Sequence, residues 1–126
     1  MERLTIRRIL EYQARVFESI SVSKTLHICG NVDNIVEYMR QTGADILSLE
    51  PKADAETARR KCGPKMILMG GVDTATTLFM KDAETVKAGA EESIETGIQI
   101  LAPGCAIAPG SPLENLLAMV EVAKQH

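Results

Sequence analysis

Lys24-Thr25-Leu26-His27-Ile28-Cys29-Gly30 is the stretch that decides how this chain folds. It is short, apolar and partly β-branched, so Thr25 to Cys29 reads as a strand. Asn31 then offers a helix cap. Val32, Ile35, Val36 and Met39 form one apolar stripe, and Gly43 ends it. The same strand-then-helix order recurs downstream. Asp45-Ile46-Leu47-Ser48-Leu49 is a second strand, and Asp54 caps a short helix that runs to Cys62 and stops at Gly63-Pro64. Lys65 to Met69 is a third strand, followed by the turn Gly70-Gly71. Val72 to Lys81 fits neither period and reads as a loop with a helical turn. Asp82 caps a longer helix bearing Val86, Ala90 and Ile94, which Gly97 ends, and Ile98 to Leu101 is a fourth strand.

Two helices flank these units. Ile6, Ile9, Leu10, Phe17 and Ile20 have helical spacing, which predicts a helix over 4–20. The last helix has the sharpest start signal. In Ser111-Pro112-Leu113-Glu114, serine caps, proline fits the first helical position and glutamate reaches back to the cap. Leu113, Leu116, Leu117 and Val120 are expected to form its buried face.

Helix, then strand–helix four times over, implies an α/β fold with a parallel sheet and right-handed crossovers. Four such units make a (βα)4 half of an eight-stranded barrel, with an extra N-terminal helix, or a small open sheet. No linker or low-complexity segment interrupts the 126 residues, so 1–126 reads as a single domain. A half-barrel leaves two strand edges unpaired and its inward face without an opposite wall. The chain is therefore expected either to pair with a second copy or to associate with the other half of a barrel.

Hydrophobic content of 45% and charged content of 25% are ordinary for a globular protein. A formal net charge of −3 speaks against a surface that neutralises many phosphates, and four aromatic rings without tryptophan make a poor base-stacking platform, so nucleic acid is not an expected partner. No apolar stretch reaches membrane-spanning length. The N-terminus is charged and has no secretory hydrophobic region, which reads as cytoplasmic. Three cysteines form no secreted disulfide framework. Cys62, at a helix end without ligand-type neighbours, reads as a small packed hydrophobe.

His27 and Cys29 differ in kind from the rest. Residues two apart on a strand project to one face, so this pair points one way and Ile28 the other. Cys105 follows Pro103-Gly104 at the end of the fourth strand. In α/β folds that end of the sheet carries the chemistry. One nitrogen and two sulfurs converging there suit Zn²⁺ with a position left open for substrate. The competing reading is a hydrogen-bonded histidine beside two space-filling thiols. Glu50 and Asp54 follow the second strand at the same end. Either could be a fourth ligand or could orient His27, unless both are solvated loop carboxylates. Gly70, Gly71 and Gly104 allow close approach of a ligand, and Asp73 either bonds substrate or braces its loop.

Taken in order, Leu26-His27-Ile28-Cys29-Gly30-Asn31, Gly70-Gly71-Val72-Asp73, Leu101-Ala102-Pro103-Gly104-Cys105 and Ser111-Pro112-Leu113-Glu114-Asn115 resemble the C-terminal part of the uroporphyrinogen decarboxylase superfamily. Within it they look most like the methylcobamide:coenzyme M methyltransferases. The resemblance runs from about Thr25 to the C-terminus and implies half of a (β/α)8 barrel. It also implies a catalytic Zn²⁺ on His27, Cys29 and Cys105. The activity implied is methyl transfer from a methylated corrinoid, carried by a partner protein, to a small thiol such as coenzyme M. True uroporphyrinogen decarboxylases lack the His-x-Cys pair and typically carry histidine where Cys105 stands. The chain is about half the length expected for such an enzyme. Two other readings therefore stand beside methyl transfer: part of a metal-free tetrapyrrole decarboxylase, and a non-catalytic half-barrel that assembles with another chain.

Overall fold

The computed structural model describes residues 2–126. Helix α1 (Glu2–Glu18) is followed by β1 (Thr25–His27), α2 (Val36–Arg40), β2 (Ile46–Ser48), α3 (Ala55–Cys62), β3 (Ile67–Gly70), α4 (Ala83–Glu95), β4 (Ile100–Leu101) and α5 (Leu113–Gln125). The four strands form one parallel sheet in sequence order. This is the (βα)4 half of a TIM-type barrel with a helix in front. The strands are shorter than the apolar runs predict. Cys29 and Leu49 lie just past strand ends, in the loops that form the upper rim.

Register divides the strand residues cleanly. Leu26, Leu47 and Leu68 pair in one row and are buried against the helices. They share a core with Phe17 of α1, Val36 and Met39 of α2, and Ala58 and Cys62 of α3. Burial raises the Cys62 thiol above its ordinary range, as befits a packed, unreactive cysteine. The alternate row, His27–Ser48–Met69–Ile100, faces the other way, with Ile46 and Ile67 in the row below. On this inward side Ile100 is exposed and Ile46, Ile67 and Met69 are only half-buried. A second core joins Val86 and Ala90 of α4 to Ala118, Met119 and Val122 of α5, over Val72 and Leu78.

Helix ends agree with the sequence where an aspartate starts them. Asp54 accepts from the Glu56 amide and the Thr57 hydroxyl, and Asp82 accepts from the Thr85 amide. Hydrogen bonds from Thr57 and from Thr85 hold these two carboxyls below the usual carboxylate range. A depressed native pKa contributes stability above the ordinary range, and that stability is lost as pH falls through the native value. Asp82→Ala is therefore expected to lower the urea midpoint at neutral pH. The gap from wild type should close as both are titrated into acid; a constant gap would deny the cap its charge-dependent share.

Two starts differ from expectation. Asn31 does not cap α2: its side chain accepts from the Asp33 amide, a turn follows, and the helix begins after Ile35. At α5 the capping box does not form. Pro112 takes the cap position with φ −59° and ψ 134°, which leaves Ser111 one residue too early, its Oγ buried without a partner. The face of α5 is also rotated from the expected one. Leu113 (66%), Leu117 (51%) and Val120 (46%) are exposed, while Asn115, Ala118, Met119 and Val122 are buried. Asn115 explains the rotation, because its amide donates to the Leu78 and Lys81 carbonyls and pins α5 onto the 72–81 loop. That loop contains turns and no helix.

Candidate metal centre

Parallel strands deliver their loops to one end of the sheet, and there His27, Cys29 and Cys105 meet. The Cys29 and Cys105 sulfurs are 3.7 Å apart, and His27 Nε2 lies 3.4 Å from Cys29 Sγ and 3.6 Å from Cys105 Sγ. A tetrahedral ion with Zn–S about 2.3 Å and Zn–N about 2.0–2.1 Å requires S···S near ~3.8 Å and N···S near ~3.6 Å. The triangle has the dimensions of such a site before any ion enters. A carboxylate oxygen of Glu50 completes a group whose four ligand atoms all lie within 4.8 Å of one another. Its Oε2 also accepts from the Gly30 amide at 2.8 Å.

The orientation of His27 follows from its other nitrogen. Nδ1 is 3.1 Å from the Ser48 carbonyl and 3.0 Å from Ser48 Oγ. A carbonyl can only accept, so Nδ1 carries the proton, and Nε2 presents its lone pair to the sulfurs. This is the arrangement metal-binding histidines adopt. The Cys29 thiol is held above its ordinary range, first by its hydrogen bond with Cys105 and then by the charge Cys105 would carry. Two adjacent thiols resist ionising together; a divalent cation between them reverses that balance.

The other sequence-derived candidates divide. Of the two acidic residues offered as a fourth ligand, Glu50 is in the cluster. Asp54 is not: it is engaged in capping α3. Asp73 accepts from the Ala75 and Thr76 amides, mainly the latter, and so braces its own loop, with its carboxyl held below the usual range. Gly71 and Asp73 line a cleft of about 350 Å³ that also touches Glu50, Asp54 and Glu92. Gly70 and Gly104 are not among its lining residues. Close packing accounts for these glycines. A Cβ at Gly70 would meet the Leu49 carbonyl at 2.7 Å, and one at Gly71 the Ala102 carbonyl at 2.6 Å. At Gly104 it would collide with the Pro51 ring.

Ser48 and Pro51 are the residues that reading along the sequence passes over. The signal for Ser48 is the repeat of leucine at positions 26, 47 and 68, which sets the register and puts Ser48 beside His27.

Comparison with known proteins gives the family and the fold. The uroporphyrinogen decarboxylase (URO-D) family model matches residues 5–126. The methylcobamide:CoM methyltransferase MtaA of Methanosarcina barkeri is 36% identical over 124 residues, which are 97% of this chain and 37% of that protein. A uroporphyrinogen decarboxylase of Trichormus variabilis is 31% identical over 127 residues, covering 92% of this chain and 35% of that one. A solved methyltransferase from Methanosarcina mazei superposes with a TM-score of 0.92 at 35% identity, over 99% of this chain and 38% of its own. The chain thus spans little more than a third of the length of the relatives it matches.

Proposed function

Because the chain belongs to the uroporphyrinogen decarboxylase (URO-D) family, we propose that it is the C-terminal half-barrel, as one domain over 1–126, of a zinc-dependent methyltransferase. Its methyl donor would be a methylated corrinoid on a partner protein, and its acceptor a small thiol of the coenzyme M kind. The observation that carries this reading is the His27–Cys29–Cys105 triangle with tetrahedral dimensions.

His27 Nε2 and the two cysteine sulfurs would hold Zn²⁺, and Glu50 stands close enough to occupy the fourth position. When bound, Zn²⁺ supplies a Lewis acid that keeps a thiol deprotonated at neutral pH. Ser48 keeps the His27 proton on Nδ1 and so keeps Nε2 available. Cys29 is exposed and Cys105 half-exposed, so the donors open towards an incoming thiol rather than towards the packed core. Relatives that decarboxylate share the fold. The paired sulfurs favour thiol chemistry over that alternative, since thiolates suit zinc and offer a carboxylate substrate nothing.

Helix number bears on the partner. The sheet has four strands, but the ring around it has five helices, α1 to α5. A closed barrel holds eight strands and eight helices. Two copies of this chain would supply two helices too many. A complement of four strands joined by three helices fits, which is the shape of the N-terminal half of the same barrel. That complement would cover the inward face of Ile46, Ile67, Met69 and Ile100 and the free edges of β1 and β4. Among the described residues no helix is long and apolar enough to cross a membrane, which suits a soluble setting such as the cytoplasm.

Thiol addition tests the reading on this half-barrel by itself. The chain is loaded with Co²⁺ and titrated with mercaptoethanesulfonate. The expected result is a stepwise gain in thiolate-to-cobalt absorption, from two bound sulfurs to three, as the thiol takes the open position. A spectrum insensitive to saturating thiol would overturn the proposal.

A further inference from the structure

We propose that Ser48-Leu49-Glu50-Pro51, the last residue of β2 and the three that follow it, is the positioning element of this centre, with one of its residues aiming each donor. The proposal rests on the metal reading above and extends it to residues that need not touch the ion.

Three contacts carry it. Ser48, 7% exposed, holds His27 Nδ1 through both its carbonyl and its hydroxyl. Glu50 accepts from the amide of Gly30, the residue after Cys29, where the chain turns with φ +87°. Pro51 seats Gly104, the residue before Cys105: Gly104 is buried, and a Cβ there would run into the Pro51 ring. The rest of the β1 loop is fastened to the residues that follow this segment. Asn31 donates to the Lys52 carbonyl, and Asp33 accepts from the Asp54 amide. Sheet register thus continues above the strand ends as a side-chain ladder, and β2 lies between the strand that brings His27 and the one beside β4.

The two arms are not equally secured. The His27–Cys29 arm has four ties to residues 48–54. The Cys105 arm meets that segment at the Gly104 seat on Pro51, while its backbone bonds, from the Ala102 amide to the Gly70 carbonyl at 2.8 Å and from the Gly104 amide to the Val72 carbonyl at 3.0 Å, run to the β3 side. The distance between the two sulfurs is therefore set where Gly104 meets Pro51. Gly104, expected from the sequence to approach substrate, also acts on the ligand next to it. Pro51 and Gly104 are positioning residues, as is Ser48.

Co²⁺ titration of metal-free protein under reducing conditions tests this. Charge-transfer intensity counts bound thiolates, and competition with a chelator gives affinity. Wild type is expected to show two thiolates. Gly104→Ala should show one, with affinity down by about 10–100-fold. Ser48→Ala should keep both thiolates and weaken binding by about tenfold, because the carbonyl bond to Nδ1 survives. The decisive case is Pro51→Gly combined with Gly104→Ala. Removing the ring makes room for the added methyl, so the double variant should regain the second thiolate. Circular dichroism establishes that each variant is folded. If Gly104→Ala is not, Pro51→Gly alone, which opens a gap instead of a clash, should still weaken binding. Unchanged affinity and intensity in Gly104→Ala, or a double variant no better than that single one, would overturn the positioning role. Wild type without any thiolate absorption would instead defeat the metal reading beneath it.

Discussion

Replacing Cys29 and Cys105 together by serine is expected to abolish zinc retention. Wild-type protein, purified without added metal, should carry about one Zn²⁺ per chain. The double variant should carry none after gel filtration. The size of the effect follows from chemistry. Zinc-finger sites bind their ion by about 10–16 kcal/mol at neutral pH, and their cysteines bind as deprotonated thiolates. A serine hydroxyl does not ionise in this range, so two of the three donors become weak neutral oxygens. Both positions lie at the rim, outside the two buried clusters, and Cys62 supplies the thiol that packs in the core. Far-ultraviolet circular dichroism should therefore be unchanged, which separates lost binding from lost folding. Metal analysis giving equal zinc in the two proteins would end the claim that these sulfurs hold the ion.

The second large effect belongs to the opposite end of the sheet. The Arg59 guanidinium donates to the Gly63, Met66 and Gly97 carbonyls and to Gln99 Oε1. One side chain thereby ties the end of α3 to the chain entering β3 and β4, and Gln99 passes the tie on by accepting from the Leu68 amide. Hydrogen bonds to a charged donor are worth about 1.5–3 kcal/mol each when buried, and less where water competes. Half-exposure discounts the sum, and Arg59→Ala is expected to cost about 3 kcal/mol. Arg59→Lys should recover less than half of that, because an ammonium cannot reproduce a planar fork. Urea unfolding measures both. Zinc content should stay at the wild-type level, since the tie lies a full strand length from the donors. A change within about 0.5 kcal/mol, the range of ordinary surface substitutions, would show that the network does not bear on stability.

The alternation of elements was legible because each helix start or stop has a local chemical cause. Asp54 and Asp82 cap through their own neighbours, so no knowledge of the rest of the chain is needed. His27 and Cys29 were legible because strand geometry alone puts them on one side. The rotated face of α5 was not legible. Leu113, Leu116, Leu117 and Val120 form a good stripe by themselves, but two hydrogen bonds from Asn115 to a loop over thirty residues away choose a different face. The capping box at Ser111 failed for a related reason. Pro112 is held extended, and serine then stands outside the helix it should cap. Ser48 and Pro51 are hidden at first sight because a serine in an apolar strand and a proline after it are unremarkable until the register is known.

That register has a regular interval. His27 and Ser48 are 21 residues apart, as are Ser48 and Met69, whereas Leu68 and Gln99 are 31 apart across the next pair of strands. The first two units thus run at the same economical length, and lengthening either would drag the ladder above β2 out of step. The third is longer, and its surplus is shared between the turns before Asp82 and the longer helix α4. The added turns are tied to α5 through Asn115 and braced by Asp73 on the Thr76 amide, so the extra length there is bound into the second core and is not free to be lengthened further.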